Sequence, residues 1–396
     1  HHARPDLMFE WTERLAREAR KIHPNLGVWV SNQGFGPERN NWFFGHLQRH
    51  QPEWVTGIAY GPWTRILLSE QRARVPEQYP IRRYADIGHC VRAQYPVPGW
   101  DRALAQTLGR EPFAPRPRAH AGIHNLFDEY ADGCITYSDG VGDDVNKFVW
   151  TALDWNPDRS VDEILLDYSR FFFGWDIAET VRNGLLMLEN NFSGSLAEND
   201  GVEATYALWT SLEDSADDQL KANWRFQQCL LRACYDQYIR LRLIRANEIE
   251  SRALATLGRA ADTGVEAAIQ RAGQIIAESD QSPETRVLRA RIVQLGEQLF
   301  NSIGAQLDVT RYRAENSERG AVLDFLDVPL NNRLWIEDEL DAIVSGRFTA
   351  TMPLAGDSLI EHTNVRLERI RRLVQWEDPG PGGYYDDLGC AWKQPH

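Results

Sequence analysis

The sequence predicts an α/β region followed by an all-α region, and two observations support this division. Up to about residue 147, short apolar segments alternate with amphipathic ones, which is typical of parallel strands joined by helices. Beyond that point the strand signal ends and long segments with helical periodicity follow. We therefore expect a partial β/α barrel over residues 1–175, a helical bundle over 176–310, and a helical extension with a Pro/Gly-rich loop over 311–396.

Four short apolar segments are the predicted strands, and each is followed by polar or glycine-rich residues. The strands are expected at residues 28–30, 55–60, 81–87 and 134–137. Amphipathic segments between them predict helices over 6–21, 41–50 and 120–130. A proline-rich, irregular segment is expected over 94–117. Because the carboxyl ends of parallel strands meet at one edge, the polar residues after the strands should line one shared hollow.

Two architectures compete for this parallel sheet, a doubly wound sheet and a (β/α)8 barrel. A doubly wound sheet usually carries G-x-G-x-x-G after its first strand, and the sequence lacks that motif. Its strand ends instead carry aromatic and amide side chains, which suit a barrel mouth that binds a polyol. A closed barrel of this kind has eight strands. Since only four are found, we predict the C-terminal half of a TIM-type (β/α)8 barrel.

Eight helices are expected after the last strand, and those between about 204 and 307 suggest an antiparallel bundle. They are predicted at 148–153, 161–173, 178–188, 204–212, 220–251, 265–277, 284–307 and 333–345. Ser160 is placed to cap the second of them. The sequence opens within a helix-like segment and ends without a closing element. We therefore expect a fragment without either native end, and localisation stays open.

Composition excludes several classes of function. A formal net charge of −14 without a dense run of Lys or Arg argues against a nucleic-acid surface. No apolar run approaches the roughly 20 residues that cross a bilayer, so no membrane association is expected. Five scattered cysteines without a Cys-x-x-Cys pair predict neither a disulfide framework nor structural zinc. Cys229 and Cys234 are expected to be buried free thiols, and no cofactor is predicted.

The most informative stretch of the sequence is residues 133–147, which read GCITYSDGVGDDVNK. A buried strand ends in a turn in which Gly140 can adopt backbone angles closed to other residues. A long amphipathic helix then begins at Asp143 or Asp144, either of which could cap it. Asp139, Asp143 and Asp144 therefore gather where a strand meets a helix, which is where barrel enzymes carry their chemistry.

This stretch resembles a motif of certain glycoside hydrolases. α-Glucuronidases carry a similar Tyr-Ser-Glu-Gly followed by Asp-Asp-Val-Asn-Lys. The later segments LDWNP at 153–157 and FFFG at 171–174, with Tyr168 before the second, look like the helix after the barrel in those enzymes and in β-N-acetylhexosaminidase relatives. The resemblance covers about residues 1–175. Asp139 stands where the family motif has Glu, so the resemblance indicates the superfamily more strongly than the substrate.

The resemblance implies hydrolysis of a glycosidic bond in a carbohydrate substrate. That reaction uses one protonated carboxyl group beside the leaving oxygen and a second carboxylate as nucleophile or base. In some relatives the N-acetyl group of the substrate replaces the nucleophile. The general acid of such barrels commonly follows the fourth strand. By our count of strands, that position lies upstream of His1.

The candidate catalytic residues are Asp139 and Asp86. The candidate substrate-binding residues are Asn32, Gln33, Tyr60, Trp63, His89, Tyr137, Asp143 and Asp144. Asp86 and His89 are read either as a base with its orienting partner or as a clamp for sugar hydroxyls, and they lack a third ligand for a metal. Trp63 could form a stacking floor for a sugar ring.

Each of these candidates also has a structural interpretation. Asp139 could simply bond its own turn, and Asp143 and Asp144 could act as helix caps. Arg82 and Arg83 could meet a carboxylated sugar or form surface salt bridges. At the level of the whole protein, the alternative to an enzyme is a non-catalytic carbohydrate-binding or scaffold protein with a degenerate barrel.

Overall fold

The computed structural model describes residues 4–90, 94–138, 140–317, 319–345 and 359–375. The chain forms two compact units, His1–Pro96 with Phe113–Glu189 and Val97–Pro112 with Asn190–His396. The described part of the first unit contains a parallel sheet with helices, and that of the second is helical. The expected α/β region followed by helices is therefore confirmed. The first unit runs beyond residue 175, and the segment 97–112 belongs to the helical unit.

Four strands form one parallel sheet in the first unit: β1 Trp29–Val30, β2 Gly57–Tyr60, β3 Ile81–Asp86 and β4 Cys134–Tyr137. Their order across the sheet is β1-β2-β3-β4, with every neighbouring pair parallel. β4 has its predicted bounds, and the other three are shorter than predicted by one or two residues. Among the described strands the order does not reverse, so they contain no switch point of the doubly wound type.

The first eight α-helices follow the predicted alternation with two additions. They are α1 Pro5–Arg20, α2 Pro37–His50, α3 Leu68–Arg74, α4 Arg102–Leu108, α5 Pro117–Asp128, α6 Asp144–Trp155, α7 Val161–Phe173 and α8 Ala178–Asn190. α1, α2 and α5 begin with proline, which tolerates the first turn because its missing N–H has no helical partner there. Ser160 caps α7 in a capping box with Glu163, as predicted. α3 and α4 were not predicted, and α4 lies inside the proline-rich segment.

One face of the sheet is covered by helices. The register aligns Val30, Ile58 and Ile81 on this face, and all three are buried. They belong to a core that includes Phe43 and Leu47 of α2, together with residues of α1 and α3. Farther along β3, Ala85 packs against Trp150 of α6. Burial of this face is what holds α1–α3, α5 and α6 against the strands.

The opposite face of the sheet, which we call the open face, stays accessible. Strand alternation places Arg82, Tyr84 and Ile135 there; Arg82 is exposed and Ile135 keeps 50% of its surface. The Arg82 guanidinium stacks on Trp29, 4.2 Å from the ring centroid. Trp29 in turn lies over Gly57, where a Cβ would come within 2.4 Å of the ring. Parallel sheets are normally buried on both sides, so this face has room for further structure.

The remaining helices make up most of the second unit. They are α9 Gly201–Ser215, α10 Asp218–Ala222, α11 Trp224–Leu257, α12 Ala260–Thr263, α13 Val265–Ile276, α14 Pro283–Ile303, α15 Val309–Tyr312, α16 Arg333–Ser345 and α17 Leu359–Val374. Two short 3-10 helices, Val141–Asp143 in the first unit and Val322–Phe325 in the second, complete the described elements. The predicted helix at 220–251 is divided at Asn223, which caps α11 by accepting from Arg225 N–H. The Pro/Gly-rich loop expected near 376–387 lies outside the described residues.

α11 is the central helix of this unit and packs against α9, α13 and α14. It is buried around its whole circumference from Phe226 to Arg240, so its sequence shows no single apolar stripe. Among the described helices, none has both the length and the hydrophobicity needed to cross a membrane. Cys229 and Cys234 are buried free thiols, as predicted. Burial raises the pKa of Cys234, and that of Cys134 in β4, to about 12.

The middle of α11 contains a buried polar network. Arg232 Nε donates to Asp236 Oδ1 at 2.7 Å, and Asn191 Nδ2 donates to Asp236 Oδ2 at 2.8 Å. Thr205 of α9 then donates to Asn191 Oδ1 at 3.1 Å. Burial raises the pKa of the Asp236 carboxyl, and Arg232 opposes that shift. The network fixes α9 and the Asn191 segment against one position of α11.

We expect Asp236→Ala to lower the free energy of unfolding by about 3–5 kcal/mol, because it leaves the Arg232 charge buried without its carboxylate. Urea titration followed by circular dichroism measures this loss. Glu278→Ala is the control, since it removes solvent-accessible ion pairs with Arg245 and Arg252 and should change stability little. Equal losses in the two variants would contradict the role given to the network.

Candidate functional site

The strongest cluster of predicted site residues lies where β3 ends. His89 Nε2 lies 3.6 Å from Asp86 Oδ2, and both side chains are buried. Asp86 Oδ1 also accepts from Gly88 N–H at 3.3 Å, which helps to turn the chain after the strand. The Gln94 side chain accepts from Asp86 N–H at 3.1 Å. The structure thus brings together the predicted pair of a carboxylate and an imidazole.

Tyr137 at the end of β4 joins this pair. It is the register partner of Asp86, and its ring meets the His89 ring edge-on with centroids 5.6 Å apart. The Tyr84 ring meets the Tyr137 ring edge-on, with centroids 6.2 Å apart. We call Asp86, His89 and Tyr137 the β3–β4 cluster. A carboxylate that orients an imidazole can set its tautomer and help it to move a proton, and a neighbouring phenol can donate a hydrogen bond.

A second group, the β1–β2 cluster, consists of Gln33 and Trp63 in the loops after the first two strands. Gln33 Oε1 accepts from Trp63 N–H at 3.3 Å, and Gly34 N–H donates to Trp63 O at 2.9 Å. The Gln33 amide lies so close to Gly61 that a Cβ there would come within 2.0 Å of it. Trp63 keeps 66% of its surface exposed. Its indole is therefore accessible to a ligand at the carboxyl edge of the sheet.

Two residues predicted to bind a sugar, Asn32 and Tyr60, form hydrogen bonds within the protein instead. Asn32 is fully buried; its amide donates to Asn40 Oδ1 at 2.8 Å, and Gln71 Nε2 donates to its oxygen at 3.0 Å. In this conformation no surface of Asn32 is left for a ligand, because the amide joins the loop after β1 to α2 and α3. Tyr60 donates its hydroxyl hydrogen to Ile66 O at 2.8 Å, and burial raises the pKa of that hydroxyl.

The acidic residues after β4 have different positions. Asp139 lies outside the described residues, so its role stays a prediction. Asp143 is buried and stands at the cap position of α6, but its side chain makes no capping bond to the helix. Asp144 accepts from the Tyr168 hydroxyl at 2.7 Å and thereby ties α6 to α7. The helix begins where predicted, with Asp143 at its N-cap position, but the Asp143 side chain does not cap it by a hydrogen bond.

A buried group centred on Trp150 supports these loops from the helix-covered side. The Trp150 indole N–H donates to His120 Nδ1 at 3.1 Å, and the Arg83 guanidinium lies 5.1 Å from the ring centroid. Arg83 also donates to His124 O at 2.9 Å. Arg83 forms a salt bridge as expected, with Asp128 at 3.5 Å, but its own side chain is buried on this side of β3 and does not lie at the surface. Burial, with a smaller effect of nearby Arg116, lowers the pKa of His120 to about 3.

His120 and Trp150 are not among the residues predicted for the site, whereas Asn146 is expected from the sequence to tie the helix after β4 to the barrel. Asn146 accepts from Arg116 N–H at 2.8 Å and donates to Ala114 O at 3.0 Å, so it joins α6 to the segment before α5. The sequence does indicate that α5 and α6 bury polar groups, because polar and aromatic side chains recur on the same helix faces as the apolar residues. Which of them bond to each other is decided by the tertiary packing.

Within the ranges that the structure describes, no group of three or more His, Cys, Asp or Glu side chains could hold a metal ion. Comparison of the chain with protein-family models, with curated proteins and with solved structures gives no match.

His120 should make stability depend on pH. Its folded-state pKa is about 3 and its unfolded value is near 6.5, so only the unfolded chain gains this proton as the pH falls below 6.5. This residue should therefore remove up to about 1.4 kcal/mol of stability per pH unit between pH 6 and 4. We expect His120→Gln, which keeps an acceptor for Trp150, to flatten the pH dependence by that amount in chemical unfolding. Identical slopes in variant and wild type would contradict it.

Proposed function

We propose that this chain is the C-terminal half of a glycoside hydrolase barrel followed by a helical unit, and that it helps to cleave glycosidic bonds. The observation that supports this most is the β3–β4 cluster. It combines a carboxylate, an imidazole and a phenol at the carboxyl edge of a parallel sheet, which is the edge where barrel enzymes place their catalytic groups.

The sheet supports the barrel part of the proposal in two ways. Its strands follow one another in sequence order, as they do around a (β/α)8 barrel. In the described part of the first unit, helices cover one face, whereas Arg82 and Ile135 are accessible on the open face. In a barrel the helices lie outside and the other face points inward. We place four further parallel strands on the open side to complete the ring.

The proposed roles follow from the chemistry of glycoside hydrolysis, which needs two carboxyl groups. Asp86 supplies one of them, and His89 holds it in position and can exchange a proton with it. Asp139, which closely follows β4 in the sequence, is the other candidate for this role of nucleophile or base, and the second carboxyl group, the general acid, would follow the fourth strand of the complete barrel. Tyr137 donates to a sugar hydroxyl, and Trp63 provides a face on which a pyranose can stack.

This proposal requires a carbohydrate substrate and no cofactor. The net charge of −14 is consistent with a neutral polyol more than with a polyanion such as a nucleic acid. A non-catalytic carbohydrate-binding protein remains the alternative. The exposed Trp63 is compatible with both functions, so turnover has to decide between them.

We expect Asp86→Asn and Asp139→Asn, made in the full-length protein, each to lower kcat/KM on the best substrate of an aryl glycoside panel by about a hundredfold or more. Both changes keep the size of the side chain and remove its ability to hold a charge. Asp158→Asn, in the exposed loop before α7, is the matched control and should retain the wild-type rate.

Trp63→Ala should raise KM more than it lowers kcat, because stacking holds the substrate before and during the reaction. Rates like those of the wild type in both aspartate variants would remove them from the chemistry. Binding of the wild-type protein on a glycan array without turnover of any glycoside in the panel would favour the non-catalytic alternative.

A further inference from the structure

The helical unit contains a cavity of about 740 Å³ that the proposed function does not use. Its walls come from four segments of that unit: 99–106, 194–197, 243–251 and 330–332. The volume is in the range of pockets that enclose small organic ligands. None of the described residues of the first unit lines it, so what it binds can be asked separately from the chemistry at the sheet.

Hydrogen bonds between the segments hold two walls of the cavity in place. Asp101 caps α4 by accepting from Ala103 N–H, and its other oxygen accepts from Leu196 N–H; both distances are 2.8 Å. Gln106 Nε2 donates to Pro329 O at 2.9 Å. One carboxylate therefore joins the segments at 99–106 and 194–197, and one amide joins α4 to the segment that leads into 330–332.

The wall formed by α11 is joined to the last segment in the same way. Glu250 accepts from both the backbone N–H and the side-chain amide of Asn332, each at 2.9 Å. Asn331 Nδ2 donates to Ala246 O at 2.8 Å. A cavity whose walls are connected to each other by such bonds is preformed, and a ligand does not have to supply the free energy of assembling it.

The groups left to meet a ligand are polar and mostly uncharged. In the part of the chain that the structure describes, the side chains of Trp100, Asn247 and Ser251 have no hydrogen-bond partner. Trp100 packs on Phe192 with centroids 5.6 Å apart and is only half-buried. The lining thus combines an indole with an amide and a hydroxyl, which can respectively stack on and hydrogen-bond a sugar ring.

The charges in the lining argue against other classes of ligand. Each oxygen of Asp101 and Glu250 already accepts a hydrogen bond from a protein group, so a cation would have to share these oxygens with the donors that hold the walls together. Among the described lining residues Arg102 is the one basic side chain, against the two acids Asp101 and Glu250. A phosphate or another polyanion would therefore meet a net negative surface. A neutral polyhydroxylated ligand fits the lining best.

We propose that this cavity is a non-catalytic binding site for a short neutral oligosaccharide, separate from the site at the sheet. The full chain is titrated calorimetrically with xylohexaose, cellohexaose and chitohexaose. Inorganic pyrophosphate and spermidine serve as the anionic and cationic probes. We expect at least one of the saccharides to bind, and neither charged probe to compete with it.

Two variants assign the binding to the cavity. Trp100→Ala removes the stacking surface, and Ser251→Trp fills the cavity from an exposed position on α11. We expect the first to weaken binding about tenfold or more and the second to abolish it. Trp224→Ala is the control, because Trp224 is also half-buried in this unit but does not line the cavity. Its affinity should equal that of the wild type.

Circular dichroism melting shows whether each variant is folded, and Ser251→Trp keeps the test valid if Trp100→Ala unfolds. The proposal would be overturned if none of the three saccharides binds, or if the folded variants bind them as tightly as the wild type does. Displacement of the saccharide by pyrophosphate or spermidine would also overturn it. Asp86→Asn should leave this binding unchanged. If that variant loses glycoside turnover but still binds the saccharide, the binding site in the helical unit is separate from the site at the sheet.

Discussion

The first unit depends on the packing of one indole beneath the sheet. Trp150 is fully buried, contacts Ala85 of β3, donates to His120 and lies against the Arg83 guanidinium. These contacts connect β3 with α5 and α6, which are the helices on either side of β4. Since β3 and β4 carry Asp86 and Tyr137, the spacing of the candidate site is set from the opposite side of the sheet. Burial keeps His120 unprotonated, so its imidazole accepts the Trp150 N–H without adding a second buried positive charge to that of Arg83.

Much of the fold could be predicted because it depends on local patterns. The strand at 134–137 has its predicted bounds, since a run of β-forming residues is bounded by Gly133 and by the Ser-Asp-Gly turn. Ser160 and Glu163 are three residues apart, which identifies a capping box before any coordinates are known. The helix α4 was not predicted, because prolines on both sides of it obscure the helical periodicity. Its cap, Asp101, is one polar residue among several in that segment and does not identify a helix start by itself.

The site was harder to predict because the use of a polar side chain depends on what lies across from it. Asn32 and Gln33 are neighbours after the same strand, yet Asn32 is enclosed by Asn40 and Gln71 while Gln33 bonds the next loop. Arg82 and Arg83 differ in the same way: strand alternation sends one to the open face and the other into the core. Sequence spacing places such residues at a strand end, but it does not decide whether their partner is a ligand or a helix.

The cysteines give the molecule a property that is useful in practice. Thiol-directed reagents react with the thiolate. Of the four described cysteines, Cys90, Cys229 and Cys234 are buried, and Cys134 is half-buried with a thiol pKa raised to about 12. A cysteine introduced at an exposed position of either unit should therefore be modified long before them, once Cys390 has been replaced. Pairs of spectroscopic labels placed in this way could report the distance between the sheet and the helical bundle in solution.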